Sequence, residues 1–195
     1  MTEASEPRPI LVAVPSRDGS AQVRSIEAFQ YLAMSLRRPL VILMAEASNI
    51  PRARNAIHDG LRQMEIGRRQ KVWWMDSDIL FDAGAVDHLA AMMRIGDECS
   101  KNVLVAAHYR MSDGRYQGLR HRDGDAHVEP TTEVTVTRSP KGATGFGLVY
   151  GATDPEYVWH ADNEGEDIHW WRDHPQAEVW WYEPWHPVDR KVVGL

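Results

Sequence analysis

Apolar positions recur along this chain in two rhythms. Ile10–Val14 (ILVAV) is an unbroken, largely β-branched run closed by Pro15 and the turn-like Ser16–Gly19, the pattern of a strand buried on both faces. Ile26, Phe29, Ala33 and Leu36 then fall at helical spacing until Pro39, and Leu40–Ala45 (LVILMA) reads as a second buried strand. Ser48 or Asn49 can cap the next element, with Pro51 in its first turn. Ile50, Ala53, Ile57, Leu61 and Met64 mark one face of an amphipathic helix there. Lys71–Met75 is a third strand, Asp82 a cap for a helix carrying Val86, Leu89 and Met93, and Val103–Ala107 a fourth strand. Doubly apolar strands alternating with helices predict an α/β fold over residues 9–108, a mostly parallel sheet flanked by helices.

After Tyr109 the rhythm changes. Residues 111–140 are polar and rich in Arg, Asp and Gly, with one alternating run, Glu133–Arg138 (EVTVTR), that reads as an antiparallel excursion or a set of active-site loops. Order returns with ATGFGLVYG, a short helix around Glu166–Arg172 and a strand at Glu178–Tyr182. Residues 1–8 read as a loose leader, and with no repeat or linker in view, residues 9–195 read as a single domain.

Composition narrows the function. The 195 residues suffice for one domain with a substantial core, and a net charge of −6 disfavours a protein that coats nucleic acid. Cys99 is the only cysteine, so neither a disulfide framework nor a thiolate metal cluster is expected. The start, MTEASEPRP, lacks the basic-then-apolar order of a secretory signal, and no apolar run approaches the ~20 residues that span a bilayer. A soluble, cytoplasmic protein without a transmembrane segment is expected.

The chemistry concentrates in KVWWMDSDILF, Lys71–Phe81, where a core strand runs into Asp76, Ser77 and Asp78. In open α/β sheets ligands bind beyond the carboxyl ends of the strands, where these charges emerge. If the chain stays extended, the two carboxylates at i and i+2 share one side and repel unless a cation separates them. A hard dication, Mn²⁺ or Mg²⁺, bridging carboxylates to substrate phosphates is the natural partner. A turn residue followed by a cap is the plain competing reading.

The succession of ILVAVPSRDG, SNIPRARNAI, VWWMDSDILF, ATGFGLVY and GEDIHWWRD resembles a GT-A glycosyltransferase of the compact bacterial or phage type. The resemblance spans roughly residues 9–190, with little contribution from 111–140. It implies a single GT-A-like, Rossmann-like domain with a nucleotide-sugar-binding half at 9–108 and an acceptor and catalytic half at 109–195. It implies a nucleotide-sugar donor, UDP- or GDP-linked, and a metal held by Asp76 and Asp78. Pro15, Ser16 and Arg17 would contact the nucleoside, where an ordinary turn is the alternative. Arg54 and Asn55, with Arg52, would lie against the donor together with Ser77. Two arginines in a first helical turn oppose the macrodipole unless an anion is nearby, and a helix N-terminus itself attracts phosphate.

Acids such as Glu166 and Asp167 suit any helix start. The resemblance gives one of them, Asp167 before Glu166, the role of general base toward an acceptor hydroxyl. It also offers His186 as a further metal ligand, with His160, His169 and His174 as rivals. Of the eight tryptophans, Trp73, Trp74, Trp180 and Trp181 read as core, whereas Trp159, Trp170, Trp171 and Trp185 are expected around the acidic helix, one of them lining the acceptor site. ATGFG, Ala143–Gly147, is expected to border the sugar and acceptor.

Rival readings are a sugar-phosphate nucleotidyltransferase, which would need a glycine-rich loop where PSRDGSAQ has one glycine, and a non-catalytic binding module. A dehydrogenase is disfavoured because no G-x-G-x-x-G follows the first strand. The acceptor is open among glycan, lipid, protein, small molecule and a hydroxylated base in DNA, for which Arg110–Arg122 offers a basic run.

Overall fold

A computed structural model describes residues 7–64, 70–110, 116–117, 136–139, 147–160, 166–182, 184–185 and 187–189. The elements run β1 (Ile10–Ser16), α1 (Val23–Ser35), β2 (Leu40–Glu46), α2 (Ile50–Gln63), β3 (Lys71–Met75), β4 (Ile79–Leu80), α3 (Ala85–Glu98) and β5 (Val103–Ala106). They continue with β6 (Tyr109–Arg110), β7 (Tyr116–Gln117), β8 (Val136–Ser139), β9 (Leu148–Ala152), α4 (Glu166–Asp173), β10 (Glu178–Tyr182) and β11 (Val188–Asp189). The predicted strands and helices of residues 9–108 are all present, the strands within a residue or two at their ends, while α1 starts earlier than Ile26 and α3 continues past Met93 to Glu98.

The main sheet has seven strands in the order β2-β1-β3-β9-β5-β10-β8. β1 is parallel to β2 and β3, and β5 is parallel to β10, whereas β9 is antiparallel to both β3 and β5, and β8 to β10. Five strands therefore share one direction and β9 and β8 run against it, so the sheet is mixed and mostly parallel, as predicted. β9 and β10 enter the same sheet as β3 and β5, so the later part of the chain interleaves with the earlier part. Of the run Glu133–Arg138, expected as an antiparallel excursion or loops, residues 136–138 are described, and they belong to β8, which is antiparallel to β10. A second, four-stranded sheet joins β4, β11, β6 and β7.

Period-two alternation sorts β1 onto two cores. Ile10, Val12 and Val14 face α1 and α3 with Phe29, Leu32, Leu89 and Met92, while Leu11 and Ala13 face α2 with Ile57 and Leu61. The adjacent indoles of β3 split in the same way, Trp73 into the first core and Trp74 into the second. Trp73 is fully buried, with Phe29 edge-on and Tyr150 tilted against it. Truncating such a side chain to alanine costs about 3–5 kcal/mol.

Several expectations need correction. β2, read as a buried strand, is the edge strand of the sheet and is only partly buried, and Trp180, read as core, is partly buried too. Asp82 does not cap α3: the N-cap is Gly84, and Asp82 Oδ1 instead accepts from the Gly84 amide at 3.0 Å, holding the turn that leads into the helix. Trp185 does not join the acidic helix. It packs on Phe81 and stacks on His88 in the α1–α3 core, because β4 and β11 carry it to that side of the sheet. Trp159 and Trp170 do lie with α4, in the other core. Among the described residues no helix is long and apolar enough to cross a membrane.

Candidate functional site

In the order β2-β1-β3, the chain leaves β1 toward β2 on one side and returns to β3 on the other, so the carboxyl ends of β1 and β3 flank a topological switch point. Asp76, Ser77 and Asp78 stand at the end of β3 at this point. They do not continue the strand. Ile79 N donates to the Asp76 carbonyl at 3.2 Å, closing a β-turn over 76–79. The expectation that Asp76 and Asp78 project together from extended chain is therefore overturned; they share one tight turn instead. Two long-range bonds fix that turn: Asp76 N donates to Gly147 O at 2.9 Å, and Gln22 N to Ser77 O at 3.2 Å. The second bridges the crevice between the loop after β1 and the loop after β3.

Gly147 is the described residue of ATGFG, and its chemistry is steric. A Cβ there would penetrate the Tyr109 ring, so glycine is what lets Tyr109 pack against the residue whose carbonyl anchors Asp76. The remaining ATGFG positions lie outside the described residues.

The loop after β1 is held by its own side chains. Ser16 is fully buried, its hydroxyl within 3.1 Å of Asp18 Oδ1 and 2.9 Å of the Ser20 carbonyl. Asp18 Oδ1 also accepts from Ser20 N at 3.1 Å and Ser20 Oγ at 2.6 Å. Gly19 adopts φ 70°, in the left-handed region glycine favours, tight against Glu46. Pro15 is buried in β1, and Arg17 is exposed at the loop tip. Of the three nucleoside candidates, Arg17 is thus the one whose side chain reaches outward.

α2 begins on the same edge. Asn49 is its N-cap, with Oδ1 accepting from Arg52 N at 3.0 Å, and Pro51 sits in the first turn, as predicted. Arg52 is exposed, but Arg54 is 1% exposed. The Arg54 guanidinium lies 4.5 Å from the Trp159 ring centroid and 5.7 Å from that of Trp74, and Nη2 lies 3.7 Å from Asp76 Oδ1. Weak hydration and a planar shape make arginine the cation suited to such an aromatic slot.

Trp159 is placed by a polar stripe on α2. Asn55 brackets its backbone, accepting from Trp159 N at 2.8 Å and donating to Trp159 O at 3.1 Å. One turn on, His58 Nδ1 donates to Tyr157 O at 2.8 Å, which leaves Nε2 to accept from Thr153 Oγ1 at 3.3 Å and Trp159 Nε1 at 3.4 Å. Another turn on, Arg62 donates to Pro155 O. Residues 55, 58 and 62, spaced i, i+3 and i+7, thereby zip the segment 153–159 onto the helix. Burial lowers the His58 pKa, the Tyr157 carbonyl opposes that shift, and Arg62 and Arg54 reinforce it. Asn55 spends both ends of its amide on Trp159, so the atoms expected to meet a donor are engaged in fixing that indole.

Farther along the edge, His108 follows β5 and stacks on Trp181, ring centroids 4.1 Å apart and planes 8° apart. Sequence reasoning passed over both His58 and His108. The stripe at 55, 58 and 62 was a readable signal for the first. For the second, only the pairing of β5 with β10 brings the histidine and tryptophan together.

Glu166 and Asp167 open α4, as predicted, and their side chains lie outside the described residues, as does His186. Of the rival histidines, His160 Nε2 lies 4.0 Å from Asp173 Oδ2, His169 sits 5.2 Å from the His160 ring, and His174 stacks on Trp170. Among the described residues no group of three or more His, Cys, Asp or Glu side chains is arranged to hold a metal ion. Asp76 and Asp78 supply an all-oxygen pair, a donor set fitting a hard dication that keeps waters and substrate phosphates in its remaining positions.

Comparisons with protein-family models, with curated proteins and with solved structures found no match to this chain.

Proposed function

We propose that this chain is a metal-dependent glycosyltransferase, moving a sugar from a nucleotide-diphosphate donor to an acceptor hydroxyl. The observation carrying this reading is the meeting of Asp76, the Asp78 turn and the buried Arg54 at one switch point, beside the N-terminus of α2. Acid and base side by side suit a diphosphate with its counter-ion better than they suit a neutral ligand. The sequence resemblance to GT-A enzymes agrees with this placement.

In this reading Asp76 and Asp78 hold Mn²⁺ or Mg²⁺, which when bound offsets charge on the departing diphosphate. Arg54, buried beside Trp74 and Trp159, presents a positive charge at the same place, and preorganised charge is what stabilises a developing anion. The positive end of the α2 dipole adds to it, although Asn49 already caps the Arg52 amide and Pro51 has none to give. Arg17 and Arg52, both exposed on this edge, are the side chains able to reach a nucleotide. Asp167 takes the proton from the acceptor hydroxyl, with Glu166 as the alternative base, and direct attack then inverts the anomeric centre.

A thermal-shift screen of UDP-, GDP-, ADP- and TDP-linked sugars, each with and without Mn²⁺, tests the reading. A donor that raises the melting temperature only with metal present supports it. Uniform silence across donors, with or without metal, overturns it.

A further inference from the structure

The main sheet ends at β2, yet β2 has the sequence of an interior strand. Among the described strands its one neighbour is β1, on which it lies in unbroken parallel register from Leu40 beside Ile10 to Glu46 beside Ser16. The run LVILMA is apolar on both faces. Leu40 and Ile42 pack toward the α1–α3 core, Val41, Leu43 and Ala45 toward the α2 core, and Met44 is 50% exposed. Continuous apolar runs of this kind belong to strands inside a sheet. Exposed edges are ordinarily blunted by a charge, a proline or a bulge, and Leu40–Ala45 carries none of the three.

The hydrogen bonds at the two ends of β2 show which backbone groups face outward. Ile10 N donates to Pro39 O at 2.7 Å and Ala47 N to Ser16 O at 3.1 Å, so residues 39 and 47 turn their polar groups toward β1. These groups alternate along a strand, so Leu40, Ile42, Met44 and Glu46 present N–H and C=O to the open edge. Such a row is a template for another extended strand.

The edge is complementary to itself. A second copy, run antiparallel about a two-fold axis beside Leu43, sets Leu40 against Glu46 and Ile42 against Met44, which engages every outward residue. Moving the register by two residues leaves Leu40 or Glu46 unpaired. Opposed side chains share a face, so Ile42 meets Met44 on one side, and on the other Leu43 meets Leu43 and Val41 meets Ala45. The charges agree as well. Arg38 and the exposed Arg37 precede β2 and Glu46 ends it, so the antiparallel copy brings Glu46 of the partner subunit to the basic end, whereas a parallel copy sets like charges together.

We propose that β2 is the interface of a symmetric homodimer, in which two copies of this chain pair antiparallel along Leu40–Glu46 and their sheets become one. The contact uses the same patch on both copies, so it closes at the dimer. It involves neither Asp76 nor Arg54 and stands or falls independently of the donor site.

Sedimentation velocity of the full-length chain over a micromolar concentration series, joined to cysteine cross-linking, tests this. Wild type should sediment as a dimer. Met44→Lys, at an exposed side chain, sets a charge against Ile42 of the partner subunit and should raise the dimer dissociation constant at least about tenfold. In a Cys99→Ser background, which removes the only native cysteine, Leu43→Cys should form a disulfide with its own copy on oxidation. Opposed residues at such a non-hydrogen-bonded pair lie about 4.5 Å apart between Cα atoms, within disulfide reach. Val41→Cys should not, because its counterpart is displaced by about 13 Å along the strand. The cross-link reads the pairing even if Met44→Lys fails to fold. A monomer at every concentration, a dimer indifferent to Met44→Lys, or cross-linking through Val41→Cys in place of Leu43→Cys overturns the proposal.

Discussion

The Arg54 guanidinium, 2% exposed, lies 3.7 Å from the Asp76 carboxylate, which is 28% exposed. The pair is lopsided: the cation is buried in the corner formed by two indoles that also touch each other, and the anion is partly in water. Separating charges across that boundary means that Arg54 depends on Asp76 and the aromatic slot far more than Asp76 depends on Arg54.

Arg54→Lys keeps the charge but loses the planar fit over Trp159, and should destabilise the fold by about 1–2 kcal/mol in urea unfolding. Arg54→Met fills the slot without charge and leaves Asp76 solvated, so its loss of stability should be no larger. Both should weaken metal-dependent donor binding. A stability-neutral Arg54→Lys would show that the slot does not hold the guanidinium.

Asn55→Ala removes two hydrogen bonds to the Trp159 backbone, and at roughly 1 kcal/mol each the expected loss is about 2 kcal/mol. Because Trp159 would then shift against Arg54, tryptophan fluorescence should change along with stability. An unchanged spectrum would contradict the clamp.

His58 makes stability depend on pH. Burial is the chief cause of its lowered pKa, so the folded state holds the ring neutral while the unfolded ring takes a proton near its ordinary value of 6.5. Its contribution is complete above 6.5, declines as pH falls below that value, and levels off beneath the folded-state pKa. Wild type minus His58→Gln should therefore lose stability from pH 7 to pH 5 with a slope of at most about 1.4 kcal/mol per pH unit. Urea midpoints across that range measure it, and parallel curves would refute it.

Gly147→Ala should cost about 1–3 kcal/mol through overpacking against Tyr109. Tyr109→Ala should restore most of that loss in the double variant, since the cause is one steric conflict. Additive losses would mean that the glycine serves something other than the ring.

Much of the fold was legible because each strand of residues 9–108 is apolar on both faces, and each helix has one apolar side. Lys71–Met75 and Glu178–Tyr182 match their predicted bounds because a charged residue and a proline or aspartate punctuate them. What could not be read was pairing. Nothing local places β9 between β3 and β5, and that insertion sets Gly147 beside Asp76. The extended geometry expected for Asp76 and Asp78 failed because Gln22 and Gly147, both distant in sequence, pull the chain into a turn. The sequence marks Arg54 as a cation in a first helical turn that would lie against a donor, and nothing local signals that it is buried. Its burial depends on Trp159, which is 105 residues away and is delivered by Asn55 and His58 on the same helix.

The most direct measurement is calorimetric titration of the donor found in the thermal-shift screen, with Mn²⁺ present, into wild type and into the Asp76→Asn, Asp78→Asn variant. The account predicts that metal-dependent binding falls at least about a hundredfold in the variant, roughly 2.7 kcal/mol, while the fold is retained. Equal affinity in the two proteins would contradict it.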